Sequence, residues 1–172
     1  VRTEHLKKYP YLSEKLLSIS ETSRIVEVEQ LTEGAACTAL LAKKYINNDE
    51  DLLIANSDQY VLHDGLFESH TCNVDGVIWT FKSKNPHHSY AKENSDGLVT
   101  EVAEKKVITD IATCGIYWYN KGSEFVRHAE KMISDNIRHN NEFYVAPVYN
   151  QMINENAKIK TCLLYTSPSL RD

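Results

Sequence analysis

The sequence predicts an α/β fold built on a mixed, mainly parallel sheet. Three observations carry that expectation. Short apolar runs suited to buried strands alternate with segments of helical spacing. One antiparallel insertion is marked by the turn "NSDG", Asn94 to Gly97, between two strand-like stretches. The composition, 42% hydrophobic and 25% charged over 172 residues, is that of a globular chain long enough to bury a sizeable core.

The elements follow in order. "RIVEVEQ", Arg24 to Gln30, alternates apolar and polar residues and predicts a strand. Thr32 is placed to cap a helix from Gly34 to Ile46, in which Ala36, Ala39 and Leu40 share a face and "NND" closes the run. Leu52 to Ala55 reads as a strand buried on both faces, ending in Asn56, Ser57 and Asp58. His63 to His70 reads as a loop or short helix, and Asp75 to Ser83 as a strand. Ser89 to Glu93 and Gly97 to Lys105 flank the turn, with Gly97 supplying positive φ. Ala112 to Asn120 is a further strand, and its "IYWY" reads as strand packing. Ser123 to Ile137 is the strongest helix, with Phe125, Ala129, Met132 and Ile133 at helical spacing. Tyr144 to Glu155 reads as a helix interrupted near Pro147. There is no internal repeat, linker or low-complexity segment.

Charge and composition exclude several functions. A net charge of −5 gives no basic footprint, so nucleic acid is not an expected partner. No apolar run reaches the length of a membrane span, and no signal peptide opens the sequence, so a cytoplasmic protein is expected. Cys37, Cys72, Cys114 and Cys162 show no CxxC or other metal spacing and read as reduced thiols. His63, His87 and His88 lack companion ligands, and the adjacent pair would point to opposite sides of an extended segment, so no transition-metal site is expected. The sequence starts at Val1, and "CLLYTSPSLRD", Cys162 to Asp172, resembles translated adapter sequence. The expected organisation is a domain over residues 1–156, truncated at both ends, and a disordered or adventitious tail over 157–172.

Three constellations carry candidate chemistry. Asp58 stands at the carboxyl end of a strand, where open α/β sheets bind ligands. A carboxylate there can hold a hard divalent cation against a phosphate, or simply cap the next turn through backbone N–H groups. Gly34, at the mouth of a helix directly after a strand, admits a base or phosphate to backbone N–H groups, or makes a tight turn. Glu104 can accept from sugar hydroxyls and Lys105 can pair with a phosphate; equally, Glu101, Glu104, Lys105 and Lys106 can be a solvated charge cluster.

In order and spacing, strand–"EGAACTALLA"–strand–"NSD", then "SYAK"–turn–"GLVTEVAEK", then "ATCGIYWY", resemble the sugar-phosphate nucleotidylyltransferases of the bacterial capsule or lipopolysaccharide type. The resemblance runs from Val1 to about Asn156. It implies a Rossmann-like, three-layer nucleotide-diphospho-sugar transferase fold. It also implies Mg²⁺-dependent transfer of a nucleotide from a nucleoside triphosphate to a sugar 1-phosphate, releasing pyrophosphate, for surface polysaccharide synthesis. By the same resemblance Gln30 and Gly34 bind the base, and Asp58 binds Mg²⁺ beside the reacting phosphate. The backbone of Tyr90 and Ala91 faces the sugar, with Ala91 where the family has glycine; Thr113 and Gly115 line the pocket's far side. Glu104 holds sugar hydroxyls and Lys105 the sugar phosphate, with Lys106 where the family has proline. The family's Gly-rich triphosphate loop and second metal-binding aspartate find no counterpart. Two other readings fit the fold type. One is a glycosyltransferase, with "NSD" as an altered Asp-x-Asp; the other is a non-catalytic sugar-nucleotide-binding module. The oligomeric state is left open.

Overall fold

A computed structural model describes residues 1–61, 73–164 and 169–170. Two short helices, α1 (Thr3–Lys8) and α2 (Tyr11–Leu17), open the chain and bury no residue. They are followed by α3 (Ala35–Leu40), α4 (Lys43–Ile46), β1 (Leu52–Ala55), β2 (Gln59–Tyr60), β3 (Gly76–Lys82), β4 (Tyr90–Glu93) and β5 (Val99–Ala103). The chain continues through β6 (Ile111–Tyr119), α5 (Gly122–Ser134), α6 (Val148–Ile153), β7 (Ile159–Leu163) and β8 (Ser169–Leu170). Six strands form one mixed sheet in the order β5-β4-β6-β3-β7, with β1 also on β6, while β2 pairs with β8.

β6 is the axis of this sheet. One edge pairs with β3. The other edge is divided between two strands: β1 lies against Ile116–Tyr119, and Tyr90 of β4 lies against Ala112. Opposite β3, Ile78 faces Tyr117 but Thr80 faces Thr113, so β6 carries two extra residues there. Such a bulge bends the strand and re-aims its side chains. Gly115 sits in it with φ +78, a conformation glycine adopts without steric cost.

The helices α3, α5 and α6 pack on one face. α5 buries Phe125, Val126, Ala129 and Met132 at three- and four-residue spacing, which makes a single apolar stripe. Tyr119 stacks on Tyr149 with ring centroids 4.6 Å apart and tilts against Phe125 at 5.1 Å. The Tyr149 hydroxyl reaches through to the sheet backbone, 2.8 Å from the Trp118 carbonyl and 3.1 Å from that of Val77. A buried phenol needs such an acceptor, and these tie α6 to β3 and β6 at once. The other face carries a second apolar cluster around Val77, Trp79, Phe81, Tyr90, Cys114 and Trp118. The open edge of β5 is docked by a side chain: Asn150 donates to the Val102 carbonyl at 2.7 Å and accepts from its N–H at 2.8 Å. That occupies strand-edge groups that would otherwise invite pairing.

Several expectations need correction. The sheet is mixed, but among the described strands only β3–β7 is parallel. Arg24–Gln30 is not a strand. Its alternation is present, but the backbone alongside it is only Val1 to Thr3, giving an isolated bridge between Arg2 and Val28. The long helix from Gly34 splits into α3 and α4. β1 is not buried on both faces: Leu52 and Ile54 turn to the core while Leu53 and Ala55 are exposed, because only one face of this strand meets the apolar cluster. Pro147 does not interrupt a helix but caps α6, where its missing N–H costs nothing. The boundary at residue 157 does not divide the fold, since β7 pairs in parallel with β3 and Cys162 and Leu164 are buried in the second cluster. The loop or helix expected at His63–His70 lies outside the described residues, as do residues 165–168 and 171–172.

Gly122 opens α5 where the chain passes closest to α4. A Cβ there would lie 1.9 Å from the Ile46 carbonyl oxygen, which is backbone and cannot rotate aside. Gly122→Ala is therefore expected to cost about 1–3 kcal/mol, as core overpacking does. Urea unfolding of wild type and variant measures it, and a loss under about 0.5 kcal/mol would show that α5 shifts freely.

Candidate functional site

The divided edge of β6 leaves Thr113 and Gly115 between two diverging strands. The lips of the gap are hydrogen-bonded. Thr113 N–H donates to the Ser89 carbonyl at 2.8 Å on the β4 side, and Asn56 N–H donates to the Gly115 carbonyl at 3.0 Å on the β1 side. Above the gap lies a cavity of about 280 Å³. Its polar lining includes Asn56, His87, His88, Ser89, Glu104, Thr113, Tyr117 and Tyr144, with Gly115 contributing no side chain. A concave site carrying a few convergent polar groups is the form a small-molecule pocket takes.

The electrostatics follow from burial. Glu104 is 8% exposed and accepts a short hydrogen bond from the Ser89 hydroxyl. Desolvation raises its carboxyl pKa; the Ser89 bond and the charges of Lys105 and His139 offset this only in part. Thr113 Oγ1 and the Tyr117 hydroxyl share a hydrogen bond of 3.1 Å, and burial pushes the Tyr117 phenol far above its ordinary range. Burial, and then neighbouring His87, lower the His88 imidazole, which packs edge-on against Phe81. The cavity therefore offers hydroxyls, one carboxyl, an amide and two imidazoles, groups that can recognise a polyol.

Lys105 follows β5 in a left-handed conformation, φ +49. Its ammonium donates to the Tyr144 hydroxyl at 2.7 Å, and Tyr144 lines the cavity. Glu104, Thr113 and Gly115 thus line one cavity, and Lys105 is joined to it through Tyr144. Tyr90 and Ala91 are not part of the lining. Tyr90 is fully buried on the opposite face and donates its hydroxyl to the Asn85 carbonyl at 2.7 Å, and Ala91 is buried in the helix-side core. Ser89, one residue earlier, lines the cavity.

Gln30 and Gly34 line a second cavity, of about 370 Å³, together with Glu142. Gly34 has φ +126, and a Cβ on it would lie 2.4 Å from the Phe143 carbonyl oxygen. The close approach that this glycine permits is made by the chain itself: Phe143 N–H donates to the Glu33 carbonyl at 2.7 Å, and its carbonyl accepts from Ala36 N–H at 3.0 Å. Asp58 is exposed just beyond β1, two residues past Asn56, and lines neither cavity. Among the described residues no three His, Cys, Asp or Glu side chains cluster to hold a metal.

Sequence reasoning missed Asn56, His88, Ser89 and Tyr144 as lining residues. Asn56 and Ser89 were within reach, since Ser89 adjoins Tyr90 and Asn56 lies two residues before Asp58. Tyr144 was hidden by reading its segment as a helix.

A raised Glu104 pKa has a defined consequence for stability. The native state holds this proton more tightly than the unfolded chain does. The contribution is complete below the ordinary value of 4.5 and is lost as pH rises through the raised native value. Glu104→Gln cannot ionise, so its stability relative to wild type should rise across that window and level off above it. Urea unfolding at a series of pH values checks this; two parallel curves would contradict it.

No protein-family model and no curated protein matches the sequence. The fold does match solved structures. A nucleoside-diphosphate-sugar pyrophosphorylase from Vibrio cholerae superposes with TM-score 0.78 at 24% identity, over 95% of this chain and 70% of that one. An inositol-1-phosphate CTP transferase from T. maritima gives 0.66 at 13% identity, over 90% and 63%. A chain described as a glucose-1-phosphate thymidylyltransferase from Bacillus anthracis gives 0.65 at 13%, over 91% and 64%. The chain thus spans between 63% and 70% of the length of these neighbours. Its mixed sheet, covered by α3, α5 and α6, thus has the Rossmann-like α/β fold of these solved structures.

Proposed function

We propose that this chain carries the sugar-phosphate site of a nucleotidyltransferase, which joins a nucleoside triphosphate to a sugar 1-phosphate and releases pyrophosphate. One observation carries the reading: the gap in β6 gathers Glu104, Ser89 and Thr113 around a sugar-sized cavity, with the Lys105 ammonium beside it. Sugar hydroxyls would donate to Glu104 and exchange hydrogen bonds with Thr113 and Asn56. Lys105 would hold the phosphate as a point charge. With the sugar fixed, the phosphate oxygen is oriented for in-line attack on the α-phosphorus, a gain that comes from positioning. A phosphate monoester is already largely ionised near neutral pH, so no side-chain base is required. Gln30 and the backbone near Gly34 would receive the base in the second cavity. Mg²⁺ bound at Asp58 would supply charge neutralisation at the transferring phosphate. A nucleotide-sugar made in the cytoplasm for surface polysaccharide is the setting that the sequence resemblance implies.

Two substitutions test this through pyrophosphate release at varied Mg²⁺ and sugar 1-phosphate. Asp58→Asn should lower kcat by about 10²–10³, the usual loss of a preorganised charge contact. Lys105→Ala should chiefly raise KM for the sugar phosphate, with a stability change within about 0.5 kcal/mol. Wild-type kcat and Mg²⁺ dependence in Asp58→Asn would reduce that carboxylate to a turn cap. No binding of any sugar 1-phosphate by calorimetry would defeat the reading as a whole.

A further inference from the structure

The Lys105 ammonium has an unusual partner. Among the described residues no carboxylate forms an ion pair with it, although Glu104 adjoins it in sequence and Glu142 lies close enough to act on its charge. It donates instead to the neutral hydroxyl of Tyr144 at 2.7 Å and lies over the same ring, 4.8 Å from its centroid. The Tyr144 hydroxyl spends its own proton on Glu142 Oε2 at 2.5 Å. A phenol that donates to a carboxylate turns its lone pairs outward and becomes a better acceptor, so the chain Lys105→Tyr144→Glu142 has one direction.

Tyr144 is placed by backbone before any ligand arrives. Its neighbour Phe143 is pinned on both sides, to the Glu33 carbonyl and the Ala36 N–H. The turn leading into it is held by mutual backbone bonds between His139 and Glu142 and by left-handed Asn140 and Asn141.

We propose that Tyr144 is a positioning residue that tethers Lys105 at the cavity without neutralising it, leaving the full charge for the phosphate of the sugar 1-phosphate. A carboxylate in the same place would orient the lysine equally well but would compete with the anionic ligand. A phenol orients it through one hydrogen bond and a ring face and carries no charge of its own. The ligand named here rests on the function proposed above; the tether itself does not.

The experiment uses Tyr144→Phe, which keeps the ring and removes the hydroxyl. Lys105 acetylation by N-hydroxysuccinimidyl acetate, followed peptide by peptide with mass spectrometry in the absence of substrate, should speed up about threefold or more. The hydroxyl holds the ammonium in its protonated form, so its loss frees the amine. KM for sugar 1-phosphate should rise about tenfold, with kcat within twofold and KM for the nucleoside triphosphate unchanged. Glu142→Gln should raise the acetylation rate by a smaller factor, and it serves as the test should Tyr144→Phe fail to fold. An unchanged Lys105 acetylation rate in the folded variant overturns the tether, as does a fall in kcat with KM unchanged. Failure of the wild-type protein to bind sugar 1-phosphate counts against the proposed function alone, since the acetylation rates still decide the tether.

Discussion

One edge of β6 has to serve two strands. Each backbone N–H and C=O on that edge can be used once, so β1 and β4 cannot both run its length. β1 takes Ile116 to Tyr119 and β4 takes Ala112. The groups between are satisfied from the lips of the gap, by Ser89 at Thr113 and by Asn56 at Gly115. What remains is a concavity whose lips are each held by a backbone hydrogen bond, with a glycine in its lining. The two extra residues of β6 and the positive φ of Gly115 belong to the same accommodation, because a regular strand would close the gap. The residues that line the cavity are therefore those at the ends of diverging elements, where side chains of distant sequence origin converge.

Burial then sets the chemistry. Glu104 is withdrawn from water and steadied by a serine hydroxyl, whereas Lys105, one residue later, is exposed and turns to a phenol. The left-handed conformation of Lys105 makes this divergence possible, since in a continuing strand consecutive side chains would simply alternate across the sheet. A buried carboxyl acceptor for hydroxyls and a cation tethered to a phenol are separated by one peptide unit.

The segment from Glu142 to Ala146 joins the two cavities. Glu142 lines one; Tyr144, Val145 and Ala146 line the other; Phe143 is stitched to the turn at Gly34. Gly34 matters here because only a residue without a Cβ lets Phe143 come so near. Behind this segment, Asn150 and Tyr149 dock α6 onto β5, β3 and β6, so the strap is anchored at both ends. Gly34 thus admits the part of the chain that carries Tyr144.

The sequence by itself determined the local elements whose pattern is self-contained. The stripe of α5, the hairpin turn at Gly97 and the apolar strands β3 and β6 follow from periodicity and turn chemistry. The order of these segments also pointed to the fold type, and the adjacency of Glu104 and Lys105 pointed to half of the cavity. Only the tertiary structure decided which strands pair. Strand direction depends on partners far away in sequence, which is why a sheet expected to be mainly parallel has one parallel pair among its described strands and why Arg24–Gln30 lacks a neighbour to make it a strand. It also decided that Ser89 faces the cavity while Tyr90 and Ala91 pack into the two cores. In a strand with period two, a one-residue difference in register moves a side chain to the other face, and that register is set by β6.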